Sequence, residues 1–172
     1  SHKAFYTLCL YVELIRKLSH RTDLRDPNNE ADVGDEGLFK VLSNGVFYLE
    51  KTLEAKNNVK ALTHFFYFLA KLVSELGVYP NLDECVLSGT PLKVGDSIVL
   101  LFEHGGFSHF ELAKENGNAR ESSILWKRLG EVWRTPYGQL NYDLDVSKEV
   151  VILLMDYVCY QLGLEKGQFK SL

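Results

Sequence analysis

The central third of the sequence carries the residues best suited to metal chemistry. His104 and His109 lie five positions apart around a Gly-Gly pair, and Cys85 precedes them. Neutral imidazole and thiolate both bind Zn²⁺, but a structural zinc site needs four matched ligands and this stretch offers three candidates. We therefore expect a surface hairpin with two solvated histidines rather than a metal knuckle.

The sequence motifs of common catalytic sites are missing. The chain has no phosphate-binding Gly-rich loop with Lys, no HExxH, no GxSxG and no CxxC pair. His64 has no nucleophile beside it, which favours a partly buried helix histidine over a general base. Cys9 and Cys159 lie on or beside apolar helical faces, where thiols behave as small hydrophobes. We expect no enzymatic activity and no cofactor; an enzyme with unrecognised residues is one alternative.

A third cluster has the composition of a nucleic-acid contact. Its aromatic and basic members are Trp126, Lys127, Arg128, Trp133 and Arg134. Tryptophan rings stack on unpaired bases, and Lys and Arg pair with phosphates. The favoured alternative is an amphipathic helix with its tryptophans in the core and its cations solvated. Any DNA binding by this chain is therefore expected to be weak and to use Lys127, Arg128 and Arg134.

Composition restricts the class of protein. The chain has 172 residues, of which 46% are hydrophobic and 24% charged, as in one ordinary globular domain. Its net charge of −4 is opposite in sign to that of a self-sufficient nucleic-acid binder. Three widely spaced cysteines favour a reducing, cytoplasmic compartment over a disulfide framework. No apolar run reaches the ~18 residues of a membrane span, so we expect no membrane contact.

Helical periodicity predicts the elements that position these residues. Apolar residues recur at helical spacing in five segments: 2–19, 36–55, 58–76, 121–134 and 146–163. The polar stretch 20–35 predicts an exposed loop, and the Gly- and Pro-rich stretch 83–112 predicts one or two small hairpins. We expect a single, mainly α, bundle-like domain over 1–172 with a β insertion at about 83–112. Ser122 and Asp145 are the expected starts of the last two helices.

The order of short motifs along the chain resembles the helical C-terminal part of the bacterial recombination mediator RecO. Members of that family have a helix that ends in Leu-Gly-aromatic and is followed by the motif Pro-x-Leu-x-x-Cys-x-x-Cys-Gly. A β insertion then carries Gly-Gly-Phe and a second Cys pair. The last helix runs into Lys-Ser. The matching pieces are Leu76-Gly77, Pro80-Asn81-Leu82, Cys85, Gly89, Gly105-Gly106-Phe107 and Lys170-Ser171. The resemblance extends over nearly the whole chain, in order.

The family's zinc-ligand positions are altered in this sequence. Cys85 is kept, whereas Ser88, His109 and Leu112 stand at or near the other three positions. A hydroxyl and an isobutyl group cannot replace thiolates, so the resemblance implies a degenerate zinc knuckle that holds no metal. If zinc were bound nevertheless, the best ligands would be Cys85, His104 and His109.

The resemblance implies a non-catalytic role in DNA repair and homologous recombination. Family members bind and anneal single-stranded DNA and engage single-strand-binding protein and RecR while RecA is loaded. Their N-terminal OB fold binds single strands, and nothing in this sequence is typical of that fold. Residue 1 is Ser, so we expect a fragment or processed product whose main DNA-binding domain is missing. The alternative function is a helical protein-interaction module without a nucleic-acid role.

The resemblance also implies capture of the C-terminal tail of single-strand-binding protein. That tail ends in apolar residues and a free carboxylate, which require an apolar groove rimmed by cations. The candidate residues on the first three helices are Lys40, Leu42, Val46, Lys60, Phe65, Leu69 and Lys71. Phe66-Tyr67 stands where the family often has an Arg pair, so we expect an affinity in the micromolar range or weaker, at best about −8 kcal/mol.

Overall fold

A computed structural model describes residues 2–22, 33–56, 58–114 and 120–165 of the chain. The elements, in chain order, are α1 (His2–Thr22), α2 (Val33–Lys56), α3 (Ala61–Glu75), β1 (Ile98–Leu101), β2 (Gly106–His109), α4 (Phe110–Ala113), α5 (Ser123–Val132), a 3₁₀ helix (Tyr137–Gln139) and α6 (Lys148–Gln161). The predicted mainly helical fold with a small inserted β-hairpin is confirmed. The middle of the predicted loop, 23–32, lies outside the described residues, whereas its two ends, 20–22 and 33–35, are helical.

Helix α3 forms the centre of the molecule. It packs against α1, α2, α5 and α6, and residues 63–70 are all buried. A helix that is apolar on every side belongs in a protein interior, which explains why this is the most hydrophobic segment of the sequence. The polar Thr63 is accommodated because its hydroxyl donates to the Leu144 carbonyl at 2.5 Å.

Helices α1, α2 and α3 meet closely at Gly45. The rings of Tyr11 and Phe68 stack there with centroids 4.0 Å apart. A Cβ added at Gly45 would lie 3.0 Å from Phe68 Cδ2 and 3.1 Å from Tyr11 Cε2. Glycine lowers helix propensity by ~1 kcal/mol relative to alanine, but here it lets two aromatic side chains approach the α2 backbone.

The hairpin is a buried structural element. The antiparallel pairs run from Ile98↔His109 to Leu101↔Gly106, and every residue of β1 is buried. Gly105 adopts a φ of 63° at the turn, and a Cβ at Gly106 would lie 2.6 Å from Val86 Cγ1. The prediction of a surface hairpin is therefore wrong for the two strands, because their side chains pack on the core and on the 81–86 segment. Within the hairpin, the exposed part is the turn, which includes His104.

Two expected helix starts differ in detail. Helix α6 begins after Ser147, whose hydroxyl accepts from the Val150 N–H, whereas the Asp145 carboxylate pairs with Lys60 at 2.8 Å. Ser122 does precede α5, but its side chain does not cap the helix. Its hydroxyl instead donates to the Arg120 carbonyl at 2.6 Å and accepts from the Leu100 N–H at 3.2 Å. Ser122 therefore ties α5 to β1.

Several apolar side chains within the predicted helical segments are exposed. They are Phe5, Val12, Phe39, Leu62 and Ile124. The core contacts of α1 and α2 are made instead by neighbours such as Leu14, Leu38 and Val41. Among the described residues, no helix combines the length and apolarity needed to cross a membrane.

Candidate functional site

A groove of about 680 Å³ separates residues 79–83 from helix α5. Its apolar and aromatic lining comes from Tyr79, Pro80, Leu82, Val94, Trp126 and Trp133. Val94 is 84% exposed and Trp133 is 38% exposed. Large apolar side chains gathered in an open groove mark a surface suited to a ligand or partner.

Hydrogen bonds between the two walls fix the groove. The Trp126 indole Nε1 donates to the Leu82 carbonyl at 2.8 Å, and the Tyr79 hydroxyl donates to the Leu129 carbonyl at 2.8 Å. The Tyr79 and Trp133 rings have centroids 4.0 Å apart. Burial raises the pKa of Tyr79 well above its ordinary value, so this phenol stays protonated and keeps donating. The aromatic walls are therefore positioned before any ligand arrives.

Two cations of the predicted DNA patch lie in this groove. Lys127 and Arg134 both line it and are exposed, and neither forms an ion pair with any residue that the structure describes. Arg128 differs, because its Nη1 pairs with Glu131 Oε2 at 2.9 Å and it does not line the groove. The structure thus brings together Lys127 and Arg134 but not Arg128. Two carboxylates, those of Asp83 and Glu131, line the groove as well.

The residues predicted to form an apolar tail-binding groove on α2 and α3 are not arranged as one. Phe65 and Leu69 are 3% and 0% exposed because α3 is enclosed by other helices, so neither can line an open groove. Leu42 and Val46 are half-buried on α2. Lys40 is exposed, with its Nζ 3.4 Å from Glu75.

The other two cations proposed for that groove stabilise the chain between α5 and α6. Lys60 Nζ donates to the Asp143 carbonyl at 2.6 Å as well as pairing with Asp145. Lys71 Nζ donates to the carbonyls of Val132 and Thr135 at 3.1 and 2.7 Å. Burial, with a smaller contribution from the charge of Lys40, lowers the pKa of Lys71. Both ammonium groups are therefore committed to internal contacts.

The degenerate zinc region is held by hydrogen bonds. Cys85 is 1% exposed, and its Sγ lies 3.2 Å from Ser108 Oγ. Burial raises the pKa of Cys85, but hydrogen bonds from the Ser108 and Ser88 hydroxyls and from the backbone at His109 and Leu87 outweigh burial and bring it to about 6.

The other residues at the predicted zinc positions have further partners or are exposed. His109 Nδ1 lies 3.7 Å from Asp96 Oδ2, and Ser88 Oγ is 2.8 Å from Thr90 Oγ1. Leu112 is exposed. Among the described residues, no group of three or more His, Cys, Asp or Glu side chains could hold a metal ion. The absence of zinc stays a prediction for metal analysis.

Comparison with known proteins adds a family assignment to this geometry. The model of the family described as "Recombination protein O C terminal" matches residues 35–163. The chain belongs to this family. A protein named DNA repair protein RecO, from Chloroherpeton thalassium, is 41% identical over 83 residues, which cover 44% of this chain and 32% of that protein. The chain thus aligns with about a third of the length of this relative. No solved structure matches the chain significantly.

The RecO family match includes both walls of the groove and the whole hairpin. The resemblance predicted from motifs is therefore confirmed. Tyr79 and Val94 were missed as groove residues, since they adjoin α5 only in the folded chain. Gly130 was missed because a glycine within a helix has no side chain that marks a binding surface. The pairing of Arg128 with Glu131, by contrast, had a sequence signal, because opposite charges three residues apart face each other on a helix.

Proposed function

We propose that this chain is the helical domain of a non-enzymatic DNA repair and recombination mediator, and that its groove binds single-stranded DNA weakly. One observation carries the proposal: Lys127 and Arg134, which form no ion pair within the described part of the chain, line a pre-positioned groove together with the exposed Trp133. Membership of the RecO family supports the recombination role. The reducing, cytoplasmic setting favoured by the cysteines is part of the same proposal.

The physical basis is base stacking combined with phosphate pairing. Stacking of a base on an aromatic side chain contributes about 1–3 kcal/mol and does not depend strongly on sequence. Two cations neutralise few phosphates, so the slope of log K against log salt should be about −1.4. The lining carboxylates of Asp83 and Glu131 and the net charge of −4 weaken DNA binding further. We therefore expect weak binding that disappears at moderate salt.

Fluorescence anisotropy with a labelled oligothymidine tests this proposal at low salt. Replacing Lys127 and Arg134 together by Ala should lower the affinity at least tenfold. The matched control is Lys3→Ala with Lys148→Ala, which removes the same charge from exposed positions outside the groove. Equal weakening by both double variants would show a diffuse electrostatic attraction and contradict a groove site.

A second candidate ligand is the acidic tail of single-strand-binding protein. The groove has the apolar walls and the exposed cations that such a tail requires, whereas Phe65 and Leu69 are enclosed in the core. We place this proposed contact in the groove. A labelled tail peptide should bind in the micromolar range or weaker, and deleting its terminal aromatic residue should abolish binding. Equal binding of the two peptides would contradict the assignment.

Binding to RecR stays a prediction of the resemblance, and we assign no residue to that contact.

A further inference from the structure

Gly130 is an unusual residue for its position in α5. Glycine weakens a helix because its backbone loses more freedom on folding than that of alanine. Gly37 and Gly45 have a packing reason, since an added Cβ would lie 2.7 Å from Glu75 Cγ at the first and 3.0 Å from Phe68 Cδ2 at the second. At Gly130 an added Cβ would contact nothing within 4 Å, and its φ is not positive. The described fold therefore has no internal need for this glycine.

The position of Gly130 points to a ligand, rather than to the fold, as the reason for a glycine here. It lines the groove three residues after Lys127, so these two residues share one face of α5. Arg134 lies two residues beyond the end of α5 and lines the same groove. The missing side chain leaves a gap in the lining beside these cations, open to the helix backbone and next to the aromatic wall of the groove.

We propose that Gly130 sets the specificity of the groove for single-stranded DNA by admitting one unpaired base between Lys127 and Arg134. The base stacks on Trp133, and the two cations pair with phosphates on either side of that nucleotide. A base inside a duplex is already stacked and paired and cannot enter the gap. This inference rests on the proposed function, because it names the part of single-stranded DNA that the groove accepts.

Variants with a larger side chain at position 130 distinguish an effect on DNA binding from an effect on folding. Gly130→Ala and Gly130→Leu add a Cβ where no atom lies within 4 Å, and alanine and leucine are better helix formers than glycine. Thermal unfolding should therefore show variants at least as stable as the wild type. In anisotropy titrations with a 15-residue oligothymidine at low salt, Gly130→Ala should weaken binding several-fold and Gly130→Leu at least tenfold. Binding to the matching duplex should be weak in every case.

Ser43→Leu is the matched control, because it adds the same side chain to an exposed position on α2 outside the groove. It should bind the oligonucleotide like the wild type.

If Gly130→Leu binds normally while the Lys127 and Arg134 variant does not, the gap is unused and this inference is overturned, although the proposed function stands. If the wild type does not bind the oligonucleotide, both fail. Weakened binding of an acidic, aromatic-ended peptide with unchanged oligonucleotide binding would make the gap a peptide site and also overturn the inference. If Gly130→Leu fails to fold, the oligonucleotide affinity of Gly130→Ala alone tests the inference.

Discussion

The ammonium nitrogen of Lys71 lies 2.7 Å from the carbonyl oxygen of Thr135, and it donates to the Val132 carbonyl as well. The end of a helix leaves carbonyls without intrahelical partners, and a cation is favourable there. Trp133 and Arg134 lie between the two carbonyls that Lys71 binds. Helix α3 therefore holds one end of the groove through a single side chain.

Lys71→Met should lower the free energy of unfolding by about 1–3 kcal/mol, because it keeps the apolar stem but leaves two carbonyls without their charged donor. Urea denaturation measures the change, and Lys3→Met on the exposed side of α1 is the control. A Lys71→Met protein as stable as the wild type would show that water replaces the ammonium group at no cost.

Gly45→Ala and Gly130→Ala should change stability in opposite directions. At Gly45 the added methyl meets two aromatic rings at about 3 Å, and overpacking of this kind costs about 1–3 kcal/mol. At Gly130 it meets nothing within 4 Å, so helix propensity should raise stability by up to ~1 kcal/mol. Melting temperatures of the two variants check this, and a stabilised Gly45→Ala would contradict the close helix approach.

His64 should make stability depend on pH. It is buried and stacks on Tyr142 with ring centroids 4.7 Å apart, and its Nε2 has no hydrogen-bond partner among the described residues. Burial lowers the pKa of His64 to about 4. Since its pKa is about 6.5 in the unfolded chain, the unfolded state binds more protons between these values. Stability from this residue is therefore complete above pH 6.5 and falls as the pH drops towards 4.

His64→Phe should remove that dependence while keeping the stacked ring. The difference in unfolding free energy between variant and wild type should be constant above pH 6.5 and should change by as much as about 3 kcal/mol in favour of the variant by pH 4. Denaturation curves at several pH values measure it. Parallel pH profiles for the two proteins would mean that His64 has the same pKa in the folded and unfolded states.

Purified protein should contain no zinc after dialysis. The reason is that the resemblance implies thiolates at or near the positions of Ser88 and Leu112, and the side chains of Cys85 and His109 are engaged with Ser108 and Asp96. Elemental analysis decides the question. One zinc per chain would show that the region rearranges to use Cys85, His104 and His109.

Local patterns predicted the helices better than they predicted the groove. Apolar spacing located five helices because that period is a property of each segment alone. It did not locate the four-residue α4 or the start of α6 at Lys148, and it did not distinguish the exposed Phe39 from the buried Leu38. Adjacent apolar residues such as Leu38 and Phe39 leave the phase of the helix open until a neighbour packs against one of them.

Long-range contacts explain why the candidate site was only partly predicted. Trp126, Lys127 and Arg134 were recognisable within one short stretch, but Tyr79 reaches α5 from 50 residues away in sequence. The same limitation made Lys60 and Lys71 resemble free cations, since the carbonyls that they bind lie 83, 61 and 64 residues away. Nothing local to a lysine on a helix marks such a partner.

The indole N–H signals of the two tryptophans give the most direct test of the groove. In a two-dimensional NMR titration with oligothymidine at low salt, the Trp133 signal should shift and saturate at the concentration at which anisotropy saturates. The Trp126 signal should move less, because its N–H already donates to Leu82. Both shifts should vanish when Lys127 and Arg134 are replaced by Ala. Oligonucleotide binding that leaves both indole signals unmoved would place the DNA elsewhere and contradict the assignment of the groove.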